Sequence, residues 1–121
     1  TVKATAVSIT STQISCVGTA VAAREAALGT AVTTHAQALS SAYSTRATEL
    51  AGAYSNTTAK TLQAGVKVSW ADFNKSVRSA TGSWKKSRDA AWTAFKTAVK
   101  ACKATADVTD STNSSAEVSG Q

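Results

Sequence analysis

Three sets of residues have types that could do chemistry. Cys16 and Cys102 are the two cysteines and His35 is the single histidine. Lys60, Lys67, Arg78, Lys85, Lys96 and Lys103 follow one another at spacings of 7, 11, 7, 11 and 7. Two cysteines without a CxxC spacing, and one imidazole, do not make a metal site, so no metal is expected. One disulfide in an oxidising compartment is the natural use of the pair; two buried free thiols are the alternative. There is no paired-carboxylate motif, no nucleophile–base set and too little bulk to wall a pocket. The chain is therefore not expected to be an enzyme, nor to take a cofactor or a small-molecule substrate.

The six cations would share a narrow band of a helix at 100° per residue, opposite its apolar stripe. Such a basic ridge either keeps a protein in solution or faces an anion. The candidate anions are nucleic acid, an acidic surface polymer, anionic lipid, or the acidic tail of a neighbouring copy. Lysine dominates, and it meets phosphate as a point charge without reading sequence. No aromatic interleaves with the ridge; Trp70 and Trp92 fall nearer its edge, between ridge and core.

What would carry that ridge is written in an eleven-residue repeat. Val17, Leu28, Leu39 and Leu50 are eleven apart, as are Val21, Val32, Tyr43 and Tyr54, with Ala20, Ala31, Ala42 and Ala53 beside them. The pattern slips by one residue and resumes as Leu62, Phe73, Trp84 and Phe95, with Val66, Val77, Arg88 and Val99 four residues later. Eleven residues fill three turns at about 3.67 per turn, so each stripe runs nearly along its helix axis. Proline is absent and alanine abundant, which permits long helices. The slip falls in "YSNTTAK", Tyr54 to Lys60, where Asn56, Thr57 and Thr58 suit one helix end and a new N-cap.

Folding the chain there into an antiparallel hairpin pairs Val17 with Val99, Val21 with Phe95, Val32 with Trp84, Tyr43 with Phe73 and Tyr54 with Leu62. Leu28 then faces Arg88, whose aliphatic stem suits it. Arg24, His35 and Arg46 recur along the edge of the stripe, His35 as a repeat position rather than a catalytic one, and Arg46 is expected to ion-pair with Asp72. The same register brings Cys16 to Cys102. The expected fold is thus all-α: a long antiparallel two-helix hairpin closed by a disulfide, with extended N- and C-terminal tails. Its helices are expected over about 15–56 and 59–104. No glycine or proline forces the turn, so a single continuous helix is the competing arrangement.

The first helix carries net charge zero between Cys16 and Thr57, whereas the second carries plus eight between Lys60 and Lys103. The outer face of the first holds Thr30, Thr34, Gln37, Ser41, Thr45 and Thr48. Small uncharged side chains let another backbone approach closely, so this face is read as a contact between copies. Residues 1–14 have strand character around Val7 and Ile9, and 105–121 form a Ser/Thr-rich acidic tail of flexible composition. Alone, both tails are expected to be disordered; strand addition between neighbours would order them. All three asparagines, Asn56, Asn74 and Asn113, open an N-x-Ser/Thr sequence and are candidate glycosylation sites. The chain begins at Thr1, as a secreted protein does once its signal peptide is removed, and as any trimmed chain does.

The stretches "VAAREAAL", Val21 to Leu28, and "RDAAWTAFKTAVKAC", Arg88 to Cys102, resemble secreted Ala/Lys/Arg-rich proteins predicted from candidate-phyla (Patescibacteria) genomes. Those proteins also set one cysteine before the first helix and another at the end of the last. The resemblance spans roughly Cys16 to Lys103. It implies secretion and a disulfide and carries no assigned function. The Thr-rich, weakly charged first helix departs from it. These readings converge on a secreted structural subunit at the cell surface that assembles with copies of itself into a filament or pilus-like structure. The alternative is a cell-surface module that binds an anionic polymer, DNA or an acidic glycan, through the basic ridge.

Overall fold

A computed structural model describes residues 9–105 and 108–118. The protein is all-α. Helix α1 spans Ser11–Ala53 and α2 spans Ala59–Cys102, the two packing against each other as an antiparallel hairpin. A short 3-10 turn, Ser111–Asn113, leads into α3, Ser114–Val118. No helix among the described residues is long and apolar enough to cross a membrane.

Helix α1 starts four residues before the expected position, because "TSTQ", residues 10–13, is a capping box. The Gln13 amide donates to Thr10 Oγ1 at 3.0 Å and the Thr10 amide donates to Gln13 Oε1 at 2.9 Å. Two N-terminal donors that a helix cannot satisfy internally are thereby satisfied. Residues 11–14, expected in an extended segment, are helical for that reason; the strand expected around Val7 lies outside the described residues. The turn forms where the slip in the repeat placed it. Asn56 Nδ2 donates to the Ala53 carbonyl at 2.9 Å and Ser55 Oγ to the Gly52 carbonyl at 2.7 Å, closing α1. Thr58 caps α2, its Oγ1 accepting from the Thr61 amide at 3.4 Å.

The chain divides into two compact units, each containing part of both long helices. In the first, Thr1–Gly29 with Ser87–Gln121, the core is Val17, Ala20 and Leu28 against Ala91, Trp92, Phe95 and Cys102. Cys16 and Cys102 form the expected disulfide, their Cα atoms 5.7 Å apart. Beside it Gln13 Nε2 donates to the Lys103 carbonyl at 2.9 Å. Lys103 ends α2 with φ 58°, the left-handed conformation that commonly stops a helix. Leu28 and its expected partner Arg88 are both buried.

In the second unit, Thr30–Lys86, the buried residues are Ala31, Ala42, Ala53, Ser69, Ala80 and Trp84. The expected contact of Tyr43 with Phe73 is present, edge to face at 5.0 Å between ring centroids. Here the core differs from expectation in detail. Val32 is 53% exposed and Tyr54 69% exposed, while the alanine column beside them is buried. Alanine in the contact line lets two helices approach closely, so the seam centres on Ala31, Ala42 and Ala53. Val32, a hundred degrees round from Ala31, then turns outward. Gly65 shows how close the approach is: a Cβ there would lie 2.9 Å from the Ala53 Cβ. Tyr54 follows the last residue of α1 and falls in the turn.

Candidate functional site

Of the residues singled out in the sequence, Thr30, Thr34, Gln37, Ser41, Thr45 and Thr48 are all exposed on α1. Lys60, Lys67, Arg78, Lys85, Lys96 and Lys103 are all exposed as well, and none makes an ion pair among the described residues. Asn56, Asn74 and Asn113 are exposed, Asn56 with its amide engaged at the end of α1. His35 is half-buried with its ring centroid 6.3 Å from that of Trp84, and its Nε2 has no hydrogen-bond partner. No group of three potential metal ligands occurs among the described residues.

The site with the most specific geometry was not legible in the composition. Residues 109–118, expected as part of a flexible extended tail, instead turn back onto α1 and α2 within the first unit. Arg24 Nη1 and Nη2 donate to the two carboxylate oxygens of Asp110 at 2.6 and 2.7 Å, and Arg24 Nε donates to Glu25 at 3.1 Å. This forked pairing is the strong form of a charge-assisted hydrogen bond. Seven residues on, Glu117 Oε1 accepts the indole N–H of Trp92 at 2.8 Å. The guanidinium carbon of Arg24 lies 4.3 Å from the Trp92 ring and 4.5 Å from Phe95. Arg24 is buried although charged, and the two rings with the Asp110 carboxylate supply what water would otherwise give it. The hydrogen bonds from Arg24 hold the Asp110 carboxyl below its ordinary pKa, and the same bonds raise that of Arg24. Asp110 and Glu117 of the acidic tail therefore serve their own chain's Arg24 and Trp92.

Arg46 behaves differently from expectation too. It makes no ion pair with Asp72. Its guanidinium carbon instead lies 4.3 Å from the rings of Trp70 and Phe73 and 4.7 Å from Tyr43. Asp72 lies against Glu49. Burial raises the Glu49 carboxyl above its ordinary pKa and the neighbouring Asp72 raises it further, while a hydrogen bond from Ser69 opposes them. One carboxylate oxygen, Glu49 Oε1, is buried with no partner. An acid whose pKa is raised on folding contributes stability that is full below its unfolded value, about 4.3, and lost as pH rises through the folded value. Glu49→Gln is thus expected to melt above the native chain at pH 7. The gap should close as the pH is lowered toward 4, as followed by circular dichroism.

A sequence signal for the Arg24 site exists in retrospect. "WADF", Trp70 to Phe73, and "WTAF", Trp92 to Phe95, are 22 residues apart, as are Arg24 and Arg46. Each arginine thus meets a W-x-x-F pair on the facing helix. What the pattern does not show is the carboxylate, which comes from 86 residues away. No family model, curated protein or solved structure matches the chain.

Proposed function

We propose that the protein is a structural subunit that associates with copies of itself through the outer face of α1, building an extracellular filament or surface assembly. The observation that carries this reading is that α1 leaves two unusual surfaces exposed in the second unit. Thr30, Thr34, Gln37, Ser41, Thr45 and Thr48 give α1 a face without charge, and Val32 and Tyr43 on the same helix are left uncovered. Small uncharged side chains on one side of the helix let another backbone approach, and exposed large apolar side chains on its opposite side favour contact with another protein surface over contact with water. The disulfide supports an oxidising compartment, hence export from the cell. The narrow alanine seam supports an assembly as well, since neighbours would bury surface that the hairpin alone leaves exposed.

Negative-stain electron microscopy of concentrated oxidised protein, with light scattering on the same sample, tests the reading. Regular fibres or discrete assemblies are expected. Thr34→Glu with Ser41→Glu places two charges on the face and is expected to abolish them while changing the monomer's stability by under about 0.5 kcal/mol. A monodisperse single chain at all concentrations would overturn the proposal.

A second reading rests on the ridge. In the second unit Lys60, Lys67, Arg78 and Lys85 are exposed, without ion pairs among the described residues, and lie on one side of α2 as a surface for an anionic polymer; Lys96 and Lys103 belong to the first unit. Binding of heparin or DNA that falls steeply with salt, and is lost when Lys67, Arg78 and Lys85 are changed to Gln, would favour it.

A further inference from the structure

The chain builds one recognition site twice and fills it once. In the first unit the Arg24 guanidinium lies over Trp92 and Phe95, whose rings meet edge to face at 5.7 Å. In the second the Arg46 guanidinium lies over Trp70 and Phe73, whose rings meet edge to face at 5.9 Å. The ring distances to the guanidinium carbons agree within a few tenths of an ångström. Only the first site holds an acidic segment, Asp110 on the guanidinium and Glu117 on the indole N–H. At the second site Arg46 makes no ion pair or hydrogen bond through its side chain among the described residues, and neither does the Trp70 indole. The exposure of the two tryptophans follows: 7% for Trp92 and 45% for Trp70.

We infer that the Arg46–Trp70–Phe73 site is a second seat for the acidic segment of residues 110–117, supplied by another copy of the chain. The occupant is identified by what sits on the equivalent site. A forked carboxylate satisfies the guanidinium and a second carboxylate seven residues later satisfies the indole. Each copy has one segment and two seats, so a neighbour's segment reaches the second seat by leaving its own Arg24. Exchanging one copy's segment for another's identical one is a low-cost route to association. The seats are not equal. Where the first has Val21, Ala27 and Ala94, the second has Tyr43, Glu49 and Asp72; the Tyr43 ring lies over the guanidinium as a third face, and the two carboxyls weaken the hold on an incoming acid. The second seat is the weaker one, so the transfer takes place only where the other contacts of an assembly offset the loss of the first.

The inference rests on the assembly reading for the source of the segment, and its test is separate from that reading. A synthetic peptide of residues 108–118 is titrated into the full oxidised chain, and the three tryptophan indole N–H resonances are followed by NMR. The Trp70 resonance is expected to shift on titration while that of Trp92 stays in place. Asp110→Asn with Glu117→Gln in the peptide removes both carboxylates without touching the protein, and is expected to weaken binding about tenfold or more. Arg46→Lys in the protein keeps the charge, loses the fork and is expected to weaken it too. Asp72→Ala, which makes the second seat more like the first, is expected to tighten it. A peptide that moves only Trp92, that moves nothing, or that binds equally well without its carboxylates overturns the second seat. Peptide binding without fibres in the microscope would leave the seat and remove the assembly; fibres without peptide binding would remove the seat alone.

Discussion

Reducing the disulfide, or replacing both cysteines by serine, is expected to unfold most of the isolated chain at room temperature. The bond joins residues 86 apart. In the chain-entropy model, closing a loop of that length restricts the unfolded chain by about 4–5 kcal/mol. Little else offsets its loss. Among the described residues the buried apolar ones are Val17, Leu28, Trp84, Trp92, Phe95 and Cys102, with six alanines, and an alanine methyl contributes about one CH₂ equivalent, or 0.8 kcal/mol. A domain of this size is ordinarily stable by only about 5–15 kcal/mol. A hairpin in which each helix buries one narrow stripe belongs at or below the bottom of that range. Far-ultraviolet circular dichroism of Cys16→Ser with Cys102→Ser at 25 °C is expected to show most of the helical signal lost, with oxidised protein melting cooperatively well above that temperature. A double variant that keeps its helicity and melts within a few degrees of the native chain would show that the alanine seam is sufficient alone.

The features legible in the sequence are those that repetition amplifies. One apolar residue at one position says little, but Val17, Leu28, Leu39 and Leu50 at a constant spacing fix a helical period. The register follows from two independent features, the pairing of the two apolar stripes and the meeting of Cys16 with Cys102; the cysteines are bonded, and Tyr43 meets Phe73 as the stripes require. Single local arrangements escaped that logic. The capping box at Thr10 and Gln13 was outweighed by the strand-like composition around it, although two hydrogen bonds decide a helix start where average propensity does not. Val32 was placed in the core because it continues an apolar column, yet between helices separated by alanine the larger side chain has no room. Arg46 was assigned to Asp72 by charge, but three aromatic faces surround the guanidinium at under 5 Å. The tail escaped for a different reason. Its Ser/Thr-rich composition describes a segment unable to fold alone, and its order comes from Arg24 and Trp92, far away in the chain.

That dependence makes the latch the second sensitive point. Asp110→Asn is expected to lower stability by about 2 kcal/mol at pH 7. Removing one partner of a fully buried pair costs about 3–5 kcal/mol. Arg24 has a side chain 4% exposed, but Asp110 is 40% exposed, so water takes up part of the loss and the figure is discounted accordingly. The sign with pH follows from the lowered pKa of Asp110. Its contribution is full above the unfolded value, about 3.9, and disappears as pH falls through the folded value. Native and Asp110→Asn chains should therefore converge in acid, as native and Glu49→Gln chains do, but the gaps at neutral pH have opposite signs: Asp110→Asn lies below the native chain and Glu49→Gln above it. Hydrogen exchange at 111–117 should rise in Asp110→Asn at neutral pH, because the segment has few contacts of its own. Arg24→Met with Asp110→Asn separates charge from packing. Methionine keeps contact with Trp92 and Phe95 and leaves no buried cation, so the double variant is expected to recover at least half of what Asp110→Asn loses. Failure to recover would place the stability in the fork itself. Unchanged exchange at 111–117 in Asp110→Asn would mean that Glu117 on Trp92 holds the segment without it.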